Sequence, residues 1–184
     1  MQIPDEDLMA QVQRGDLERM TVLFERYQTP LYQFFRRHGM EAGSSEDLVQ
    51  EVFFRVLRFR STYRKGAAFR AWLYQIARNT RIDYLRRATR ETTVDDSFGD
   101  TFTVEAGVDT ALEASDHARL LRRALAQLPE RKREVLVLSR YQGLKYKEIA
   151  ELMGCDVNTV KVRIHRSIQE LREVFLQMAE RRVS

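Results

Sequence analysis

The sequence predicts an all-α protein of two small helical domains joined by an extended acidic linker. Eight Gly and three Pro in 184 residues provide too few turn residues for a many-stranded sheet. Apolar residues recur at helical spacing on both sides of residues 88–115, a segment rich in Thr, Asp and Gly that shows no sustained period. We therefore predict domains at 1–87 and 116–184, with the linker at 88–115.

The charge is distributed unevenly along the chain. The first domain carries a net charge of +4, the linker −6 and the second domain +6, within a total of +4. Basic surfaces favour polyanionic partners such as nucleic acids. The one cysteine, Cys155, excludes an internal disulfide and fits a reducing cytoplasm. The polar N-terminus does not read as a secretory signal, and no apolar run is long enough to span a bilayer.

The first domain is predicted to contain helices separated by two loops. A helix that follows residue 16 is expected either to kink at Pro30 or to give way there to a second helix. After a loop at 39–45, the Ser-Ser-Glu-Asp start signal predicts a helix over about 46–59. A short basic loop then leads to a helix over about 67–87. An exposed Phe54 on the polar face of the earlier helix indicates a surface for docking another protein.

Basic and aromatic residues are interleaved in the second half of this domain. From Arg55 to Arg87 there are ten basic residues and one acidic residue, Asp83. Basic groups follow a phosphate backbone, and aromatic faces stack on unpaired bases. The mixture predicts binding to single-stranded or melting DNA. Trp72 is expected to be at least partly buried, whereas Tyr63, in the basic loop, is expected to serve function rather than packing.

The second domain is predicted to contain a helix-turn-helix. A helix ends near Leu128, and Pro129 marks the start of another that ends at Gly143. Residues 146–167, YKEIAELMGCDVNTVKVRIHRS, then read as a helix, a tight turn and a second helix. This is the arrangement with which a recognition helix enters the DNA major groove.

Individual residues of this motif match its geometric needs. Ala150 permits a close helix crossing, Gly154 supplies a positive φ in the turn, and Asp156 can cap the second helix. Arg and Lys reach guanine edges or phosphates, and Asn reads adenine. The polar residues left on the outer faces of the second helix are Asn158, Thr159, Lys161, Arg163, His165 and Arg166. The pattern predicts binding to duplex DNA.

Other classes of protein are weighed against this interpretation. The sequence has no phosphate-binding Gly-Lys loop, no zinc-ligand spacing and no nucleophile motif, so we predict neither an enzyme nor a bound metal or cofactor. The residues alone leave open a conventional transcription regulator that joins a sensor or dimerisation domain to a helix-turn-helix. Such a regulator would bind duplex DNA without help from RNA polymerase. A helical protein that only binds other proteins is also considered, but the interleaved basic and aromatic residues argue against it.

Three segments in this order resemble bacterial sigma factors of the sigma-70 class. They are DLVQEVFFRVLR at 47–58, FRAWLYQIARNTRIDYLRR at 69–87, and LPERKREVLVLSRYQGLKYKEIAELMGCDVNTVKVRIHRSIQEL at 128–171. The resemblance is to the extracytoplasmic-function (ECF, group four) branch, which keeps only sigma domains 2 and 4. It implies a subunit without covalent chemistry of its own that binds core RNA polymerase and directs promoter-specific initiation, in a stress or envelope response.

The resemblance also implies roles for particular residues. Docking on the β′ clamp helices of the polymerase is implied for Asp47, Gln50, Glu51, Phe54 and Arg55. Recognition and opening of the −10 element is implied for Arg60, Ser61, Tyr63, Arg64, Lys65, Arg78, Asn79, Asp83, Arg86 and Arg87. Reading of the −35 element is implied for Asn158, Thr159, Lys161, Arg163, His165 and Arg166. The further partners implied are the β flap of the polymerase and an anti-sigma factor.

One position departs from the family pattern. Family members usually place Ser or Thr before the first helix of the helix-turn-helix, where this chain has Lys145, followed by Lys147. Lysine cannot accept the free N–H bonds of a helix start and is unfavourable at the positive end of the helix dipole. We therefore predict that Lys145 and Lys147 contact the DNA backbone.

The linker and the location of the protein are also expectations from the resemblance. In this family the linker threads the cleft and the RNA exit path of the polymerase, which are lined for polyanions. An acidic linker is therefore predicted to mimic nucleic acid there. The expected location is cytoplasmic, on the nucleoid or held at the membrane by an anti-sigma factor.

Overall fold

The computed structural model describes residues 3–92 and 116–183, and all regular elements in these ranges are helical. The all-α class is therefore confirmed. The chain forms two compact units, one mainly from the elements before residue 93 and the other mainly from those after residue 115. Within the described ranges, none of the helices is both long and apolar enough to cross a membrane.

The first unit contains four α-helices and a short 3-10 turn. They are α1 (Asp5–Gln13), α2 (Arg19–Arg37), α3 (Ala42–Arg58), the 3-10 turn (Arg60–Thr62) and α4 (Phe69–Thr92). Large aromatic side chains fill the centre of this unit, where Phe34, Phe35, Phe69 and Tyr74 are almost fully buried. Trp72 is half-buried beside them, which confirms its expected partial burial.

Helix α1 lies in a segment for which no helix was predicted. Its first turn contains Asp5, Glu6 and Asp7, whose carboxylates are favoured at the positive end of a helix dipole. One face then buries Leu8 and Met9 completely, together with Val12 one turn later. The helical pattern is weak in the sequence because the apolar face of α1 contains only Leu8, Met9 and Val12 and follows an acidic first turn.

Two helix boundaries in the first half of this unit differ from expectation. Pro30 lies inside a continuous α2, so no second helix begins there. The next helix starts at Ala42 rather than near residue 46, since Gly39, with a φ of 83°, already turns the chain. Ser45 is fully buried within the helix, and the hydroxyl of Ser44 lies 2.9 Å from that of Tyr84. The serines therefore serve packing between helices rather than a helix start.

The last helix of the unit is longer than expected. It continues to Thr92 instead of ending near Arg87. The Thr89 hydroxyl donates a 2.9 Å hydrogen bond to the Leu85 carbonyl one turn earlier, so this polar residue is accommodated within the helix. The remainder of the predicted acidic linker, residues 93–115, lies outside the described residues.

The second unit contains the helix-turn-helix and the helices that support it. It is built from α5 (Asp116–Gln127), α6 (Glu130–Leu136), a π-helical turn (Val137–Tyr141), α7 (Tyr146–Met153) and α8 (Val157–Val183). Pro129 precedes α6, as expected. The π turn admits one extra residue, so the Gln142 N–H bonds the Val137 carbonyl at 3.0 Å. Gly143, with a φ of 63°, then redirects the chain toward α7.

Candidate nucleic-acid interface

The turn between α7 and α8 has the expected geometry. Ala150 is 4% exposed at the helix crossing. Gly154 ends α7 in the left-handed conformation, with φ 63° and ψ 41°. The Cys155 N–H reaches back to the Ala150 carbonyl at 3.0 Å, which closes the helix end. The predicted roles of Ala150 and Gly154 are confirmed.

The start of α8 is capped by Asp156. Its carboxylate accepts the Thr159 backbone N–H at 2.7 Å and the Thr159 hydroxyl at 2.5 Å. These hydrogen bonds, that of the hydroxyl first, hold the pKa of Asp156 below its ordinary value. The inward face of the helix buries Val160 and Ile164. The cap is confirmed, and it engages the Thr159 hydroxyl that was expected to face DNA.

The outer face of α8 presents one continuous stripe to solvent. Asn158, Lys161, Val162 and His165 follow each other at helical spacing, and all four are exposed. Val162, which is 48% exposed, was expected on an outer face but was not among the predicted DNA-binding residues, because an isolated valine carries no binding signal. Arg166 is also exposed beside the stripe.

Arg163 lies on a different side of α8 from this stripe. Its side chain is half-buried, and Nη1 lies 3.7 Å from the Sγ of Cys155 in the turn. The guanidinium is thus held against the helix-turn-helix turn. Cys155 serves the packing of the turn, as expected.

Lys145 occupies the N-cap position of α7 without capping it through its side chain. Its own backbone N–H donates to Oε2 of Glu148 at 2.7 Å. Only this half of a capping box is chemically available, because an ammonium group has no lone pair with which to accept. The side chains of Lys145 and Lys147 are both exposed.

The basic loop that follows α3 is exposed except for its tyrosine. Tyr63 is 4% exposed, its hydroxyl donates to the Ala67 carbonyl, and its ring packs 5.2 Å from that of Trp72. Burial raises the pKa of Tyr63 to about 12. Tyr63 was expected to serve function rather than packing, but the loop folds back over the core and the side chain packs there. Its role at the −10 element stays a prediction. The exposed residues are Arg60, Ser61, Thr62, Arg64 and Lys65, next to a 41% exposed Phe59.

The face of α4 assigned to the −10 element is partly committed to other contacts. Asn79, Arg86 and Arg87 are exposed, whereas Arg78 is half-buried. The carboxylate of Asp83 forms an ion pair with Arg55 on α3, with 2.6 Å between its Oδ2 and Nη1 of Arg55. Asp83 therefore links two helices in addition to any role toward DNA.

The polar face of α3 divides into an exposed and a paired part. Asp47, Gln50 and Phe54 are exposed, with Phe54 at 60%. The Nε of Arg55 lies 2.6 Å from Oε1 of Glu51 one turn earlier, and both side chains are half-buried. The exposed Phe54 expected from the sequence is confirmed. Arg55 contacts Glu51 and Asp83 within the protein.

Comparison with known proteins places both units in one family. Residues 23–91 match the family described as Sigma-70 region 2, and residues 118–171 match Sigma-70, region 4. The ECF RNA polymerase sigma-E factor of Haemophilus influenzae is 33% identical over 175 residues, which cover 90% of this chain and 92% of the relative. The RNA polymerase sigma-H factor of Pseudomonas aeruginosa is 34% identical over 174 residues, covering 89% of both chains.

Solved structures show the same fold. The structure of CnrH in complex with the cytosolic domain of CnrY matches with a TM-score of 0.69 at 26% identity, covering 92% of this chain and 96% of that one. The sigma factor RpoE of Bartonella quintana, solved with the anti-sigma factor NepR, matches with a TM-score of 0.72 at 24% identity, covering 84% of this chain and 94% of that one.

A helix-turn-helix with a capped recognition helix, together with a helical unit that matches region 2, defines a sigma-70-class subunit of RNA polymerase. The chain belongs to the ECF branch of this family and is a sigma factor that binds core RNA polymerase and directs transcription initiation at promoters. A conventional transcription regulator could also contain a helix-turn-helix, but the match of residues 23–91 to Sigma-70 region 2 favours a sigma factor.

Proposed function

We propose that this sigma factor divides promoter recognition between its two units. The outer stripe of α8 reads the −35 element as duplex DNA, and the basic loop with α4 captures the −10 element as a single strand. The observation that carries the proposal is the pairing of an exposed recognition stripe in one unit with an exposed basic and aromatic loop in the other.

The −35 assignment rests on which side chains of α8 are available. Asn158, Lys161 and His165 are exposed on one face, and these side chains suit base edges and phosphates. The Asp156 cap fixes the start of the helix, where backbone N–H groups also favour a phosphate. Thr159 contributes to this cap, so we assign it a supporting role.

The −10 assignment rests on the loop between α3 and α4. Arg60, Arg64 and Lys65 are exposed cations that can follow a single-stranded backbone. Phe59 replaces the buried Tyr63 as the aromatic face available for stacking on an extruded base. The exposed Asn79, Arg86 and Arg87 extend the same basic surface along α4.

Core polymerase docks on α3 in this proposal. Phe54 supplies an exposed apolar anchor on α3, one turn after the exposed polar residue Gln50 and two turns after the exposed Asp47. Glu51 is half-buried in its ion pair with Arg55, so these two residues shape the surface as a pair. The second unit would contact the β flap.

Lys145, at the N-cap of α7, and Lys147, in its first turn, contact the DNA backbone. Both ammonium groups are exposed, and the cap position leaves the Lys145 side chain without a capping role. Each phosphate contact contributes a slope of about −0.9 to the dependence of log K on log salt. Lys145→Ser should therefore flatten the salt dependence of promoter binding by roughly one unit, and an unchanged slope would remove this assignment.

The setting of this function is also part of the proposal. We place the protein in the cytoplasm, on the nucleoid, without covalent chemistry of its own, and we assign it to a stress or envelope response. An anti-sigma factor would hold it inactive and could tether it to the membrane. The support is that two proteins of similar fold were solved in complex with a second chain, which for one of them is the anti-sigma factor NepR.

The test is reconstituted transcription. Purified bacterial core RNA polymerase with and without the full-length protein is presented with a random duplex library, and initiated transcripts are sequenced. We expect initiation at one promoter class only when the protein is present. Asn158→Ala should weaken −35 binding, whereas Gln177→Ala, which removes an exposed amide further along α8, should not. Initiation without preference for any promoter would refute the proposal.

A further inference from the structure

The loop assigned to base capture is held in place by α1. The Gln13 side-chain amide donates two hydrogen bonds from Nε2, one to the Arg60 carbonyl and one to the Tyr63 carbonyl, both at 2.7 Å. Gln13 therefore holds both ends of the 3-10 turn, at its first residue Arg60 and at Tyr63, which follows its last residue. The Arg60 carbonyl also accepts the Tyr63 backbone N–H at 3.2 Å, which closes the 3-10 turn. The Gln13 amide adds contacts from outside the segment, 47 and 50 residues away in sequence.

A second contact joins α1 to the start of α4. Oε1 of Glu6 accepts the Phe69 backbone N–H at 3.1 Å, which satisfies one of the free N–H groups at the beginning of that helix. Gln13 and Glu6 thus fasten the two ends of the segment between α3 and α4. Apart from the buried Tyr63 and the half-buried Ala68, the residues between these points are exposed.

The helix that provides these contacts is itself firmly anchored. Asp5 accepts hydrogen bonds from Arg26 Nη1 and from the Tyr27 hydroxyl of α2, each at 2.5 Å. The buried apolar face of α1 adds the completely buried Leu8 and Met9. A side chain on a rigid element can hold a loop in one conformation, whereas a side chain on another loop would move with it.

From these contacts we propose that Gln13 is a positioning residue for promoter opening. By drawing the carbonyls of Arg60 and Tyr63 toward α1, it turns the loop's acceptor groups away from DNA and leaves its cations facing outward. The loop is then ordered before a base arrives, so capture does not have to offset the entropy of ordering it. The inference rests on the proposed role of this loop at the −10 element.

The test compares two substitutions of Gln13 with a matched control substitution of Gln11 on the same helix. Gln13→Glu keeps the size of the side chain but replaces the donor with a carboxylate that faces two carbonyl oxygens. Gln11→Glu makes the same change of charge at a half-buried position of the same helix. Gln13→Lys restores an N–H donor and should recover part of the activity. Fluorescence of Trp72, the only tryptophan, monitors urea unfolding of the first unit in each full-length variant.

The readout is promoter opening by the holoenzyme. A promoter selected by the wild-type holoenzyme carries 2-aminopurine in its −10 element, and a parallel series carries an abasic site at each −10 position. We expect Gln13→Glu to slow opening about tenfold, equivalent to about 1.4 kcal/mol, with unchanged core affinity. At the captured position, an abasic site should slow the wild type but have little further effect on Gln13→Glu.

The possible outcomes separate the inference from the function on which it rests. If the abasic site and Gln13→Glu act additively, or if Gln11→Glu slows opening as much, Gln13 does not position the loop and the inference is refuted. If opening slows only in proportion to a lowered unfolding midpoint, Gln13 is merely structural and the inference is likewise refuted. If no abasic site affects the wild type, base capture itself is wrong, and both proposals fall.

Discussion

Arg55 forms two ion pairs whose energy can be measured, one with Glu51 within α3 and one with Asp83 that joins α3 to α4. Its guanidinium lies 2.6 Å from both Glu51 and Asp83, and the side-chain exposures are 20% for Arg55, 38% for Glu51 and 44% for Asp83. Burial lowers the pKa of Arg55, but the hydrogen bonds that its guanidinium donates to Asp83 and Glu51 more than offset this, so the pKa is raised overall. Both carboxylates are partly exposed, so screening by solvent limits each pair to about 0.5 kcal/mol.

We expect Arg55→Met to destabilise the first unit by about 1 kcal/mol, since it removes both ion pairs and keeps the packing of the apolar stem. Asp83→Asn should cost about half as much, and the double variant should show a coupling of about 0.5 kcal/mol between the two residues. The coupling should shrink in high salt, because solvated charges are screened.

The assay is urea unfolding of the full-length protein followed by Trp72 fluorescence. Trp72 lies on α4, so the signal reports the unit that contains the ion pairs. The matched control is the same cycle at Arg19 and Asp16, an exposed pair with side-chain exposures of 43% and 42%, where we expect a smaller coupling. A coupling of zero between Arg55 and Asp83 at low salt would refute the reasoning. If Arg55→Met then also weakened binding to core RNA polymerase, the role of Arg55 would be to contact the polymerase.

Three further predictions concern the helix-turn-helix. Gly154→Ala should destabilise the second unit by about 1–2 kcal/mol, because a φ of 63° is unfavourable for any residue with a Cβ, although that Cβ would meet no atom within 4 Å. Thermal melting followed by circular dichroism measures the loss. The control is Gly43→Ala, at a helical glycine with equal space around it, which should be neutral or stabilising. The pKa of Asp156 is lowered by Thr159, so its cap contributes stability above the ordinary pKa of an aspartate and loses it as the pH falls through the lowered value. The difference in melting temperature between wild type and Asp156→Ala should therefore shrink on acidification from about pH 7 to about pH 3, and a constant difference would contradict the charged cap. Val162, 48% exposed on the recognition stripe, is suited to a thymine methyl group. Replacing that thymine with uracil in the −35 element should weaken binding of the wild type by about 0.8 kcal/mol, roughly fourfold. The same replacement should not weaken binding of Val162→Ser. Equal losses in both proteins would show that Val162 does not contact the methyl group.

The sequence by itself determined the all-α class and the main features of the helix-turn-helix, because these depend on short-range chemistry. Helical periodicity located the long helices, and the roles of Gly154 and Asp156 followed from backbone conformation and capping within a few residues. The exposed Phe54 followed in the same way from its place opposite an apolar face.

Only the tertiary structure decided which side chains are available and which are committed to partners distant in sequence. Tyr63 looked functional from its basic neighbours, but the fold buries it against Trp72. Arg55 and Asp83 lie 28 residues apart, and Gln13 lies 50 residues from the farther carbonyl that it holds. Hydrogen bonds and burial over such distances depend on how helices pack, and periodicity within one segment contains no information about the surface that its polar side chains will meet.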